Sequence, residues 1–297
     1  MNRRQFLTGA TAIAAVPAMA TEKKTAVTAV GPEPGEIRLT FLGTSHGSVT
    51  SQRMCSCTLV QYRGRNYVVD AADGSSARIM RVGVNIPDVH AVFITHPHDD
   101  HFGGLPMLIK QHSFQNWCYH RDVKAITPLE VLLPDADLEE TMRLYHSRPN
   151  VGTLKDYQHL KTYKPGVIYR DDFITVTAYG NDHMGRRADG SQIAHSLLME
   201  FSNGRRVYFS GDLSEKFDLP LDPFKDGGKV DLLVCEHVHY PDELAVKRLK
   251  GLPVAKICFQ HYWDSWETPG WQERFAAFAS QLTMPAERVT DYDVRNV

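Results

Sequence analysis

The sequence predicts an α/β sandwich, two β-sheets packed face to face with helices outside. Short β-rich runs recur along the chain, and helical patterns fall between blocks of them. From Ile37 onward about 260 residues remain, the size of one large domain with a packed core.

The β-rich runs are Arg38 to Phe41, Cys57 to Tyr62, Asn66 to Val69, Ala91 to Ile94, Phe173 to Ala178, Leu197 to Phe201, Arg206 to Phe209, Leu232 to Cys235 and Lys256 to Phe259. Helical patterns cover Leu138 to Tyr145, Asp242 to Leu249 and Trp271 to Leu282, with a helix-like start at Met107 to Lys110. No internal repeat or low-complexity segment interrupts them.

Ahead of this domain, Asn2-Arg3-Arg4-Gln5-Phe6-Leu7 precedes an Ala-rich apolar stretch ending Ala18-Met19-Ala20. A basic start, an apolar middle and a small-x-small cleavage site make an export signal over residues 1–20. Paired arginines before Phe-Leu resemble a bacterial twin-arginine signal, which implies the twin-arginine machinery as a partner and a periplasmic or secreted product. Pro17 interrupts the apolar run, which falls short of the ~20 residues that span a bilayer, so no stable membrane span is expected. Residues 21–36, with Gly31-Pro32-Glu33-Pro34-Gly35, read as a linker, and 37–297 as the domain. Five cysteines are too few for a disulfide scaffold. Cys55 and Cys57 read as small apolar residues on one strand face; Cys118, Cys235 and Cys258 read as buried.

The chemistry concentrates in Thr95-His96-Pro97-His98-Asp99-Asp100-His101, three imidazoles and two carboxylates directly after an apolar run. Residues two apart in an extended chain face the same way, so His96 and His98 can converge on one ion. Imidazole and carboxylate suit zinc, and also manganese or iron, while the lack of a nearby cysteine argues against a structural zinc cage. Further candidates sit at later strand ends: His183 after Ile174 to Tyr179, Asp212 in Ser210-Gly211-Asp212, and His261 after Lys256 to Gln260.

In His-x-His-x-Asp-His, followed in order by those three positions, the chain resembles the metallo-β-lactamase superfamily. Leu42-Gly43-Thr44 and Tyr67-Val68-Val69-Asp70 resemble the opening strands of its ribonuclease Z-like branch, which includes phosphodiesterases and arylsulfatases. The resemblance spans about 37 to 265. It implies the αββα sandwich of two mixed sheets, with homodimers known among related folds. It also implies two divalent ions, zinc first and Mn²⁺ or Fe²⁺ next: one held by His96, His98 and His183, the second by Asp100, His101 and His261, with Asp212 bridging. Two such ions lie ~3.5–4 Å apart and lower the pKa of a bound water from 15.7 towards ~7, so a bridging hydroxide is the implied nucleophile. His195 rivals His183 for the third-histidine role, with a packing position as its other reading. Asp70 is expected to orient a ligand rather than bind metal.

A leaving group also needs a proton, and His237 or His239 is the candidate acid. Two zinc ions, two carboxylates and one hydroxide leave about +1 formally, which favours a transition state that gathers negative charge. Without Arg3 and Arg4, 31 Lys and Arg face 35 Asp and Glu, a formal −4 that gives no general basic surface for nucleic acid. Arg186-Arg187 are a candidate anion clamp. Residues 143–170, rich in Tyr, Lys and Arg, read as a lid or a solvated connection, and Trp263, Trp266 and Trp271 as a pocket wall or helix packing. Departing from ribonuclease Z, the residues after His261 read Tyr262-Trp263-Asp264-Ser265-Trp266 where that family has a Phe-Ser-x-Arg-Tyr-like sequence. The resulting expectation is an exported dinuclear-metal hydrolase of a small anionic ester, a phosphodiester first. The alternatives are a lactonase, β-lactamase or arylsulfatase on the same site, or a non-catalytic metal-binding protein.

Overall fold

The structure is a computed structural model that describes residues 32–33, 35–119, 126–148, 154–263 and 268–297. The signal segment at 1–20 lies outside the described residues, as does most of the linker, the side chain of Cys118 and Trp266.

Among the described residues, fourteen strands form two seven-stranded sheets. The first sheet takes β1 (Ile37–Gly43), β2 (Cys57–Tyr62), β3 (Arg65–Val69), β4 (Val89–Phe93), β5 (Leu129–Leu133) and β6 (Gln158–Thr162). The second takes β7 (Gly166–Arg170), β8 (Ile174–Asn181), β9 (Ala194–Phe201), β10 (Arg206–Phe209), β11 (Leu232–His237), β12 (Ile257–Tyr262) and β13 (Ala286–Arg288). The last strand, β14 (Val294–Asn296), returns to pair antiparallel with β1. Each sheet begins antiparallel, β1 to β3 and β7 to β10, and continues parallel, β3 to β6 and β10 to β13.

Parallel strands are covered on both faces, which is why they read as unbroken apolar runs. Ala91-Val92-Phe93 of β4 and Ile257-Cys258-Phe259 of β12 are buried throughout. Inward residues of the two sheets, such as Phe41, Tyr62, Phe93, Val176, Leu197 and Phe209, form the central core. On the outer face of the first sheet lie α1 (Ser75–Arg81), α3 (Leu105–Tyr119) and α4 (Ala136–Ser147), with Ile79, Leu108 and Leu138 buried against it; the short α2 (Asp99–Phe102) carries part of the histidine cluster. Across the second sheet, α5 (Asp242–Leu249) and α6 (Trp271–Ala279) bury Ala245, Leu249 and Phe278.

All nine sequence-predicted strands form. The stretch 143–170 differs from the reading as a lid: outside 149–153 it is the end of α4, the edge strand β6 and the edge strand β7. Tyr163, between those strands, is buried, donates its hydroxyl to the Ile94 carbonyl beyond β4 at 2.7 Å and packs against the His195 ring of β9, so it touches both sheets. No helix among the described residues is long and apolar enough to cross a membrane.

Candidate metal centre

The site forms where strands of both sheets end. Ligands in open α/β sheets collect at the carboxyl ends of parallel strands, where loops and helix starts leave a crevice. Here β4 delivers His96, His98, Asp100 and His101, β8 delivers His183, β10 delivers Asp212 and β12 delivers His261.

Asp212 is the centre of the cluster. Its Oδ2 lies 3.5 Å from His261 Nε2, 3.7 Å from His96 Nε2, 3.8 Å from His183 Nε2 and 4.0 Å from His239 Nε2, and its Oδ1 lies 3.4 Å from His101 Nε2. Donor atoms of His96, His98, His183 and Asp212 gather within 4.8 Å of one another, and those of Asp100, His101 and His261 form a second such group. The structure thus brings all seven sequence-predicted ligands together. His195 is not among them. It is buried beside the Tyr163 ring at 4.9 Å between centroids, and its backbone N–H donates to Thr95 O.

Backbone geometry explains why these residues reach the centre. Gly211 has φ +58°, and a Cβ there would stand 2.6 Å from the His195 carbonyl oxygen, so only glycine lets the chain turn Asp212 inward. Asp70 and His261 hold positive φ angles of 57° and 52° without being glycine, a strained conformation that gathers at functional sites.

The outer nitrogen of each imidazole decides which nitrogen faces the centre. Asp70 Oδ2 lies 2.8 Å from His101 Nδ1 and Asp70 Oδ1 accepts from Thr95 N, while Thr95 Oγ1 is 3.1 Å from His96 Nδ1. Leu213 O lies 3.1 Å from His183 Nδ1. Facing inward, His96 Nε2 and His98 Nδ1 stand 3.0 Å apart, His183 Nε2 and His98 Nδ1 3.2 Å, and His101 Nε2 and His261 Nε2 3.3 Å. Imidazole nitrogens converging on one another and on a buried carboxylate are a donor set that fits cations.

At three of the imidazoles electrostatics agree with that fit. Burial, with neighbouring imidazoles, holds His96 well below the ordinary histidine range and also lowers His98 and His183, favouring the neutral form that binds metal. Burial opposes charge on His101 too, but the Asp212 and Asp70 carboxylates hold it well above that range. Burial would raise Asp212, yet His261, His101 and His96 hold its carboxyl well below the usual range.

Of the two candidate acids, the structure places His239 at the cluster and His237 elsewhere. Adjacent residues of a strand point to opposite faces. Glu236 therefore points towards the site, while His237 turns to the helix side, packs against the rings of Phe259 and Phe278 and pairs with Asp242 at 2.9 Å. The candidacy of His237 for the acid position is corrected on this ground. Buried Glu236 accepts from the Val238 backbone N–H at 2.6 Å and lies 3.1 Å from His239 Nδ1, which turns His239 Nε2 towards Asp212. Burial opposes charge on His239, but the hydrogen bond and charge of Glu236 raise it above the ordinary range.

Beside the centre opens a cleft of about 600 Å³ whose lining mixes His183, His239, Arg186 and Lys216 with the carboxylates Asp182, Glu215 and Asp218. Arg186 pairs with Asp182 at 2.9 Å in this lining. Arg187 lies outside it, bound to Asp135 at 2.7 Å and Asp137 at 3.0 Å at the start of α4, so the clamp reduces to Arg186, and Lys216 joins it. Cys55, Cys57, Cys235 and Cys258 are free and buried, and burial pushes the Cys57 thiol up to about 12.

A face-to-face αββα sandwich with imidazoles and carboxylates converging at its strand ends is the arrangement of a metal-dependent hydrolase. The chain belongs to the metallo-beta-lactamase superfamily, whose sequence profile matches residues 50–261. Ribonuclease Z of Natronomonas pharaonis is 27% identical over 187 residues, 63% of this chain and 55% of that protein. Ribonuclease Z of Listeria innocua is 30% identical over 179 residues, 59% of this chain and 55% of that protein. The chain thus spans about half the length of these curated relatives. The metallo-beta-lactamase fold protein YhfI from Bacillus subtilis superposes with a TM-score of 0.67 at 16% identity, covering 88% of this chain and 100% of that one, which is a likeness of fold.

Proposed function

We propose that this chain is a hydrolase that holds two divalent metal ions, zinc first, and cleaves a small anionic phosphodiester. The convergence of two donor groups on the single carboxylate Asp212 carries the reading. His96, His98 and His183 would hold one ion, Asp100, His101 and His261 the other, and Asp212 both. When bound, such ions lower the pKa of a water molecule held between them and offset negative charge in the transition state.

The chain's own residues divide the remaining work. Asp70 and Thr95 fix the rings of His101 and His96. Arg186, paired with Asp182, and Lys216 are the cations of a cleft that also holds Glu215 and Asp218, and a phosphate monoanion would dock on them beside His183. His239, held by Glu236 and within 4.0 Å of Asp212, is placed to give the departing oxygen its proton. A phosphodiester is supported by the ribonuclease Z relatives, since ribonucleases cleave that bond. The small-substrate reading follows from the formal charge of −4 without Arg3 and Arg4. Arg3-Arg4 and the small-x-small end at Ala20 are the basis for proposing twin-arginine export to the periplasm, with the domain starting near Ile37.

The test is hydrolysis of a chromogenic phosphodiester by zinc-loaded protein beside an aryl sulfate and a lactone, with chelator as control. Chelator-sensitive preference for the phosphodiester is the expected result. Cleavage of the sulfate or the lactone alone would keep the metal centre and overturn the substrate class; no turnover of any would leave a metal-binding protein.

A further inference from the structure

Trp263 stands at the lip of the centre half exposed, although chains usually hide most of an indole. It is held in place nonetheless. Its Nε1–H donates to the Val238 carbonyl at 3.1 Å, one residue before His239, and its ring meets that of His46 edge-on at 4.3 Å between centroids. His46 in turn stands edge-on to His261 at 6.4 Å between centroids. The loop that carries His46 is tied to the centre, since the neighbouring Gly47 N–H donates to Asp100 Oδ2 at 2.8 Å. An exposed aromatic surface is thus fixed to the framework of two ligands and of His239.

A fixed, partly desolvated indole beside a charged centre gains most from a planar ring, since stacking needs no further ordering of the protein side. The indole is tied through the Val238 carbonyl to the turn that carries His239, which lines the cleft, so it flanks the place where an ester would sit. We infer that Trp263, braced by His46, is a platform for a planar ring of the substrate. This narrows the substrate class to phosphodiesters with an aromatic or heteroaromatic group on one arm, and it rests on the phosphodiester reading above. Trp263 is then a specificity-determining residue.

Calorimetric titration of the zinc-loaded protein with phenyl phosphate and with methyl phosphate tests it, with turnover of bis(p-nitrophenyl) phosphate measured on the same preparations. The wild type should bind phenyl phosphate ~10-fold more tightly than methyl phosphate, a stacking-sized preference. Trp263→Ala should bring the two affinities together by weakening phenyl phosphate alone, and Trp263→Phe should keep most of the preference. No ring preference in the wild type, or an equal loss for both ligands in Trp263→Ala, overturns the platform while turnover continues. Absence of turnover in the wild type overturns the phosphodiester reading and the platform with it.

Discussion

Asp70→Asn isolates the part that orientation plays in the metal centre. Asparagine matches aspartate in size and tolerates the φ of 57° found here, so the backbone survives the change. Oδ1 can still accept from Thr95 N at 2.8 Å, but the other oxygen, 2.8 Å from His101 Nδ1, becomes an NH₂ group. That donor cannot pair with an Nδ1–H, so it selects the tautomer of His101 with the proton on Nε2. Nε2 is the nitrogen that faces Asp212 Oδ1 at 3.4 Å and His261 Nε2 at 3.3 Å, and a protonated nitrogen cannot bind a metal. Loss of such an outer partner typically costs 10–100-fold in metal affinity, or about 1.4–2.8 kcal/mol. Competition with a chromophoric chelator measures it. Unchanged zinc affinity in Asp70→Asn, with the fold retained by circular dichroism, would refute the reasoning.

Gly211→Ala should cost ~1–3 kcal/mol from the left-handed φ, with added cost from the contact with His195 O, and should weaken metal binding by moving Asp212; a melt and a zinc titration equal to wild type would contradict this. His239→Ala should lower kcat by ~10²–10⁴ for esters with alkoxide leaving groups and far less for p-nitrophenolate, which leaves without a proton. His237→Ala should lower Tm by removing packing against Phe259 and Phe278 and leave the dependence on leaving group unchanged; the two outcomes exchanged would reverse the assignment. Burial holds His112 down at about 4, so it stays neutral in the fold while the unfolded imidazole takes a proton near pH 6.5. Its contribution is fully present above pH 6.5 and is lost as pH falls towards 4, up to about 3 kcal/mol, so His112→Gln should flatten the wild-type decline measured by urea unfolding across that window; parallel declines would refute it.

The donors of the centre were legible because their residue types are costly to collect without a cation and each followed an apolar run that forms a strand. His96 to His101 lie after β4, Asp212 after β10 and His261 at the end of β12. Asp70 was legible as an orienting group for the same reason, closing β3 at the same edge. The choice between His237 and His239 was not, because residues two apart on a strand would share a face, and it is the end of β11 at His237 that lets the chain turn and send His239 elsewhere. Glu236 decides it by pairing with His239, a contact no spacing announces. Arg187 read as a clamp because its acidic partners, Asp135 and Asp137, lie about fifty residues away in the chain. The edge strands escaped for a different reason. Gln158-His159-Leu160-Lys161-Thr162 of β6 buries Leu160 but exposes Lys161 and Thr162, and Val294-Arg295-Asn296 of β14 is mostly exposed, so neither shows the apolar run of an inner strand.

Stepwise addition of zinc to chelator-stripped protein, with phosphodiester turnover followed at each addition, tests the central claim most directly. Turnover that rises to a plateau at about two equivalents is the result expected of two donor groups sharing Asp212. Turnover independent of zinc, or none at any zinc level, would contradict it.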